Sequence, residues 1–338
     1  MIWERIIFFA CIFIGFAIGG VICYFSYTSV SNHEYCLVLE DNFQKIDSNV
    51  WSYEIQRGGF GSGSFEWTTN DPKNAYVDSQ GLHIVPTLTT ETTNITLDQL
   101  TDNYVLNLTT AKTCTTDEIT MCSIRSNKTA GHIINPVRSA RLTTKGKKSI
   151  LYGKVEVVAK MPKGSWLWPA IWMMPEKDVY GSWPRSGEID IAESRGNFGD
   201  DYTDGRDAVI SAMHWGPLPE ADAFYKTAGK HNVRRTDYSE SFHTFGLEWS
   251  RDYLFTYIDS RLLVSPLLPS SSSGVNIFTA SFLHQIPSTL PEHVGPWWLR
   301  RKRHQQIRTL RSLVPYRKTK HPLRPKFLSH PKRRYWGD

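Results

Sequence analysis

The stretch Gly153-Lys154-Val155-Glu156-Val157-Val158-Ala159-Lys160 alternates with a period of two over most of its length, which fits a half-buried strand and no helix. Short runs of the same kind recur. Tyr76-Val77 leads through a Ser79-Gln80-Gly81 turn to Leu82-His83-Ile84-Val85, and Leu254-Phe255-Thr256-Tyr257-Ile258 leads through Asp259-Ser260 to Arg261-Leu262-Leu263. Strands at this spacing predict an all-β sandwich or barrel, and 338 residues suffice for one large core. Twelve Trp are more than core filling alone demands; about two in three are expected inside, the rest as flat apolar surfaces.

The N-terminus obeys a different rule. From Ile6 to Phe25 there is no charge, Asn, Gln or Pro. Twenty helical residues at ~1.5 Å each span ~30 Å, the thickness of a bilayer's hydrocarbon core. Arg5 before this run and Glu34 after it place the N-terminus in the cytoplasm. The favoured reading is an uncleaved anchor with the rest of the chain outside the cell; a cleaved signal peptide and a secreted protein are the alternative. Three glycosylation acceptors, Asn94-Ile95-Thr96, Asn107-Leu108-Thr109 and Asn127-Lys128-Thr129, agree with either route out of the cytosol. Cys114 and Cys122 lie in the same polar stretch, as a disulfide or as two thiols.

Charge divides the chain again near residue 264. From Val264 onward fourteen Lys or Arg face Glu292 and Asp338, a balance of +12, which leaves −6 on the remainder of a chain whose net charge is +6. An acidic body with a basic ending argues against a nucleic-acid binder. The expected division is therefore an N-terminal membrane segment (1–33), a strand-rich domain (34–263) and a basic, Pro- and Arg-rich tail (264–338), disordered because it lacks strand alternation.

The chemistry is carried by Gly187-Glu188-Ile189-Asp190-Ile191-Ala192-Glu193-Ser194. On a strand Glu188 and Asp190 share one face while Ile189 and Ile191 take the other. Glu193 joins the acidic face only if one extra residue is accommodated as a β-bulge. Three carboxylates on one face repel, and their pKa values are pushed apart, so that one group serves as an acid while another stays ionised. Glycoside hydrolysis needs that division. The competing explanation is an edge strand with solvated acids.

The flanking phrases resemble the laminarinase-like branch of glycoside hydrolase family 16, above all its fungal members. They are Glu66-Trp67-Thr68-Thr69-Asn70, Asn74-Ala75-Tyr76-Val77, Val137-Arg138-Ser139-Ala140-Arg141-Leu142, Leu167-Trp168-Pro169-Ala170-Ile171-Trp172-Met173-Met174-Pro175, Trp183-Pro184-Arg185-Ser186-Gly187-Glu188, His214-Trp215-Gly216 and Phe242-His243-Thr244-Phe245-Gly246-Leu247-Glu248-Trp249. The resemblance implies a β-jelly roll of two curved antiparallel sheets with a glucan cleft on the concave face. It implies Glu188 as nucleophile, Glu193 as acid/base and Asp190 as the residue that tunes the nucleophile. The bulged spacing goes with β-1,3-glucan activity in that family.

Cleft-lining candidates are Asn74, Arg141, Trp183 and His214, at positions that match the family's cleft, together with Trp168 and Trp172, whose indoles suit the apolar faces of glucose rings. Trp168 and Trp172, four apart, share a face if both lie on one strand. The expected partner is β-glucan, with no cofactor, since two carboxylates suffice, and no metal ligand set. The family's closing strands are not recognisable after Leu263, and the text from Ser265 reads as an out-of-frame or mis-spliced ending; the nucleotide sequence there decides that hypothesis. Three other readings stay open: a glucan-binding relative that does not cut, a wall-remodelling transglycosylase, and a basic tail that binds lipid or anionic polymer.

Overall fold

The computed structural model describes residues 2–29, 34–198, 202–251 and 253–264, together with the backbone of 305–315. A single helix, Ile2–Ser29, opens the chain, longer at both ends than its charge-free centre and exposed along its length. It is long and apolar enough to cross a membrane.

Strands dominate the described residues after it, as the period-two runs demand, with only short helices such as Leu97–Thr101 between them. Four antiparallel strands form one sheet, in the order Ala170–Met173, Glu188–Ser194, Ala208–His214, Gly229–Asn232. A larger sheet runs Arg261–Val264, Leu254–Ile258, His243–Trp249, Gly153–Lys160, Gln305–Pro315, Gly81–Ile84, Ala75–Asp78, with Tyr35–Asp41 also pairing on Gln305–Pro315. Gly153–Lys160 alternates buried and half-buried residues without exception, so its pattern is a direct record of one core-facing side.

The two sheets share one core. Val155, Val157, Ala159, Phe245, Leu247, Trp249, Leu254 and Ile258 of the large sheet meet Met173, Ile189, Ile191, Ala192, Val209 and Met213 of the small one. This is the two-sheet, jelly-roll-like sandwich expected from the sequence. A second cluster, Ile55, Trp67, Ile95, Leu100, Leu106, Leu108 and Ile134, fills the excursion that carries the three glycosylation acceptors. Cys114 and Cys122 are joined there as a disulfide. Of the Trp in the described residues only Trp67 and Trp249 are fully buried, fewer than composition implied.

Most of the 264–338 tail lies outside the described residues. Over Gln305–Pro315, however, the expectation of disorder fails: these 11 residues form a strand. Its backbone pairs with Gly153–Lys160 on one side and with Tyr35–Asp41 and Gly81–Ile84 on the other. A strand with partners on both edges satisfies its backbone polar groups whatever its arginine content, and a reading based on charge missed that.

Burial ranks the strands by what they contribute. Leu247 is 0% exposed at the centre of the shared core, whereas Leu262 is 55% exposed. Leu247→Ala is expected to destabilise the fold by about 2–5 kcal/mol and Leu262→Ala by less than about 0.5 kcal/mol. Urea unfolding midpoints of the two variants check this, and equal shifts would show that the two sheets do not share that core.

Candidate active site

The strand Glu188–Ser194 lies between Ala170–Met173 and Ala208–His214, so its outward face is a floor with a neighbour on each side. Register shows how three acids reach that face. Between Asp190 and Glu193 this strand advances by one residue more than Ala212 to Ile210 opposite it, and the Ile171 to Trp172 step on the other side faces the same insertion. The extra residue lies at Ile191 and Ala192, both buried in the core. A bulge with two successive inward positions turns Glu193 back to the side of Glu188 and Asp190. The sequence required that device, and the structure contains it.

Each acid has its own partner. The indole Nε1 of Trp183 donates to Glu188 Oε2, in a close contact five residues away along the chain. The indole Nε1 of Trp168 donates to Glu193 Oε1 at 2.7 Å. Asp190, 3% exposed between them, pairs with His214 Nε2 at 2.9 Å. His214 arrives on the neighbouring strand directly opposite Glu188, and its Nδ1 meets Asp222 Oδ2 at 3.0 Å.

Electrostatics follow from that packing. Burial, then the charges of Glu193 and Glu188, push Asp190 up to about 7 against the opposing pull of His214. Burial works against a charged His214, but the Asp190 charge, hydrogen bonds to Asp190 and Asp222, and the Glu188 charge carry it up to about 11. His214 is therefore an imidazolium near neutral pH, and the cluster around it holds an excess of negative charge. Glu188, Asp190 and His214 also bring one ligand atom each within 4.8 Å of one another, a spacing that suits a metal ion. The fit is poor, because an imidazolium donates from both nitrogens and has no lone pair for a cation.

The remaining candidates fall on two sides. Trp172 pairs directly with Asp190 across the strands, and its ring lies 4.4 Å under the Arg141 guanidinium. Arg141 is clamped by Glu54 and also lies over the Phe60 ring at 3.8 Å. The expected strand sharing of Trp168 and Trp172 does not hold, since the strand starts at Ala170 and Trp168 sits in the loop before it. There Trp168 is 43% exposed, with Arg195 over its ring at 4.5 Å. The loop is stitched to the end of the acidic strand by Gly196 N to Leu167 O at 2.8 Å and Gly164 N to Gly196 O at 2.9 Å.

Asn74 is the exception. It is 0% exposed, and its amide donates to Val85 O, Thr87 Oγ1 and Arg138 O, so it holds backbone together and offers no surface to a sugar. Sequence reasoning missed Asp222, Glu54, Phe60 and Arg195. Only Phe60 left a local signal, a bulky ring inside the glycine run Gly58-Gly59-Phe60-Gly61-Ser62-Gly63.

The family model for glycosyl hydrolases family 16 matches residues 86–276, more than half of the chain. The chain belongs to this family. A beta-1,3-glucan-binding protein of Penaeus monodon is 38% identical over 238 residues, which cover 68% of this family 16 chain and 63% of that protein. A glucan endo-1,3-beta-glucosidase of Cryptopygus antarcticus is 42% identical over 135 residues, covering 39% and 46%. The chain thus spans less than two thirds of the length of these relatives. Among solved structures, the laminarinase catalytic domain of Thermotoga maritima superposes with a TM-score of 0.57 at 25% identity, over 84% of this chain and 100% of that one.

Both members of the Asp190–His214 pair are raised above their unfolded values of 3.8 and 6.5. Their contribution to stability is complete below those values and lost as pH climbs through about 7 and about 11. Relative to an Asp190→Asn/His214→Gln double variant, wild type is expected to lose stability between pH ~5 and ~9. Urea midpoints at the two pH values measure this; a difference that does not change with pH means the pair is not coupled as the geometry requires.

Proposed function

We propose that this chain is a retaining endo-β-glucanase that cuts β-1,3-glucosidic bonds of laminarin-type or mixed-linkage glucan. The observation that carries the reading is the bulge, which sets two glutamates on one face with a buried aspartate between them. Double displacement uses one carboxylate as nucleophile and a second as acid, then base. Glu188, oriented by the Trp183 indole and 7% exposed, suits attack on the anomeric carbon. Glu193, half-buried beside the exposed Trp168, can give a proton to the leaving oxygen and then take one from the water that hydrolyses the intermediate. Asp190 remains beneath them, its charge balanced by His214. Trp168, Trp172 and Trp183 offer ring faces, and Arg141 a fixed cation, to a glucan in the groove. No step needs a cofactor.

The relatives named as glucanases support the same class of substrate. On this reading the N-terminal helix tethers the domain to a membrane with the acidic face outside the cell, or is removed as a signal peptide.

A second reading has a specific basis, because a family relative with high coverage is named as a glucan-binding protein. Retention of all three acids in this chain favours cleavage. Reducing-end release from laminarin by wild type and by Glu188→Gln separates the two. Loss of about 10²–10⁴-fold in the variant, with unchanged laminarin binding, is the expected result. Equal release from both would remove Glu188 as the nucleophile, and none from either alongside tight binding would mean that the groove binds without cutting. Product lengths from a labelled laminari-oligosaccharide distinguish transfer to a second sugar from transfer to water.

A further inference from the structure

We propose that Asp222 is a positioning residue for the carboxylate cluster: it fixes His214 as a doubly anchored imidazolium beside Asp190 and so sets the charge under which Glu188 and Glu193 act. The proposal rests on the glycosidase reading above.

The geometry leaves His214 no freedom. One ring nitrogen faces Asp190 at 2.9 Å and the other faces Asp222 at 3.0 Å. Phe224 stacks on the ring at 6.0 Å with planes 10° apart, and the Trp183 ring lies 5.6 Å away. Asp222 has a side chain only 1% exposed, at the end of the short turn Pro219–Ala221. That turn is folded back onto the site by Ala223 N to Trp215 O at 3.2 Å and Thr227 Oγ1 to Met213 O at 3.1 Å. A buried carboxylate costs stability unless it meets a cation, and His214 brings one to Asp222.

The charged groups that face His214 are Asp190 and Glu188 from the acidic strand and Asp222 from the loop, while Glu193 acts on it through Asp190. Without Asp222 the imidazole is held from one side only and gives up its proton more readily. On the acidic limb the ring stays charged even so, because Asp190 and Glu188 also hold its proton; where His214 carries no charge, carboxylates left to repel each other bind protons more tightly. Glu188 must be ionised to attack, so the cost falls on the acidic side of the pH profile and not on affinity. Asp222→Asn keeps the shape and a hydrogen-bond acceptor while removing the charge.

The test uses the full chain and two readouts. The first is kcat/KM on laminarin against pH. His214→Gln, which carries no charge at any pH, is expected to move the acidic limb upward by about one pH unit, about tenfold lower activity on that limb, whereas Asp222→Asn leaves that limb in place because His214 is still protonated there. His214→Gln also keeps the test open if Asp222→Asn does not fold. The second is NMR of 13Cε1-labelled histidine, in which the His214 resonance should titrate at lower pH in Asp222→Asn. An acidic limb that stays in place in His214→Gln, or an unchanged His214 titration in Asp222→Asn, overturns the proposal. If wild type itself releases no reducing ends, the hydrolase reading fails, and the His214 resonance alone still decides the role of Asp222.

Discussion

One extra residue in one strand holds this site together. Without the bulge at Ile191 and Ala192, strict alternation would send Glu193 into the core that Ile189 and Ile191 occupy. With it, three carboxylates share a face, where burial and then mutual repulsion press against their charges. Each other feature of the site answers that repulsion. Trp183 and Trp168 each donate a hydrogen bond to a glutamate, and His214 supplies the positive charge that the central aspartate requires. The sandwich beneath makes the arrangement affordable, because Ile189, Ile191, Ala192, Val209 and Met213 lock the strand into the core from the other side.

The same logic explains how rigid the surroundings are. Arg141 is held by an ion pair to Glu54 and by two rings, so its cation is fixed in place before any sugar arrives. Gly196 lets the loop carrying Trp168 close on the end of the acidic strand; a Cβ there would lie 2.2 Å from Gly164 O. A preorganised groove of this kind loses little conformational entropy on binding a polymer.

Much of this was legible in the sequence. Period-two alternation in Gly153–Lys160 maps onto alternate burial, and the spacing Glu-x-Asp-x-x-Glu already demanded a bulge. Trp172, Trp183, Arg141 and His214 fell near the acids as their phrases implied. Asn74 did not, since a polar residue beside an aromatic run looks the same whether it faces a sugar or three backbone partners. Trp168 reached Glu193 from a loop and not from the strand to which its spacing assigned it. The strand at Gln305–Pro315 was hidden because its composition is basic, while its partners lie far away in the chain.

The sequence by itself determined the strand character, the apolar N-terminal helix and the identity of the three acids, because each is written in local periodicity or in residues a few positions apart. Tertiary structure decided how the charges are balanced. His214 comes from the next strand, Asp222 from a loop folded back beneath it, and Glu54 and Phe60 from another part of the chain altogether. Electrostatic energy depends on distance through space and on burial, and neither is fixed by separation along the chain.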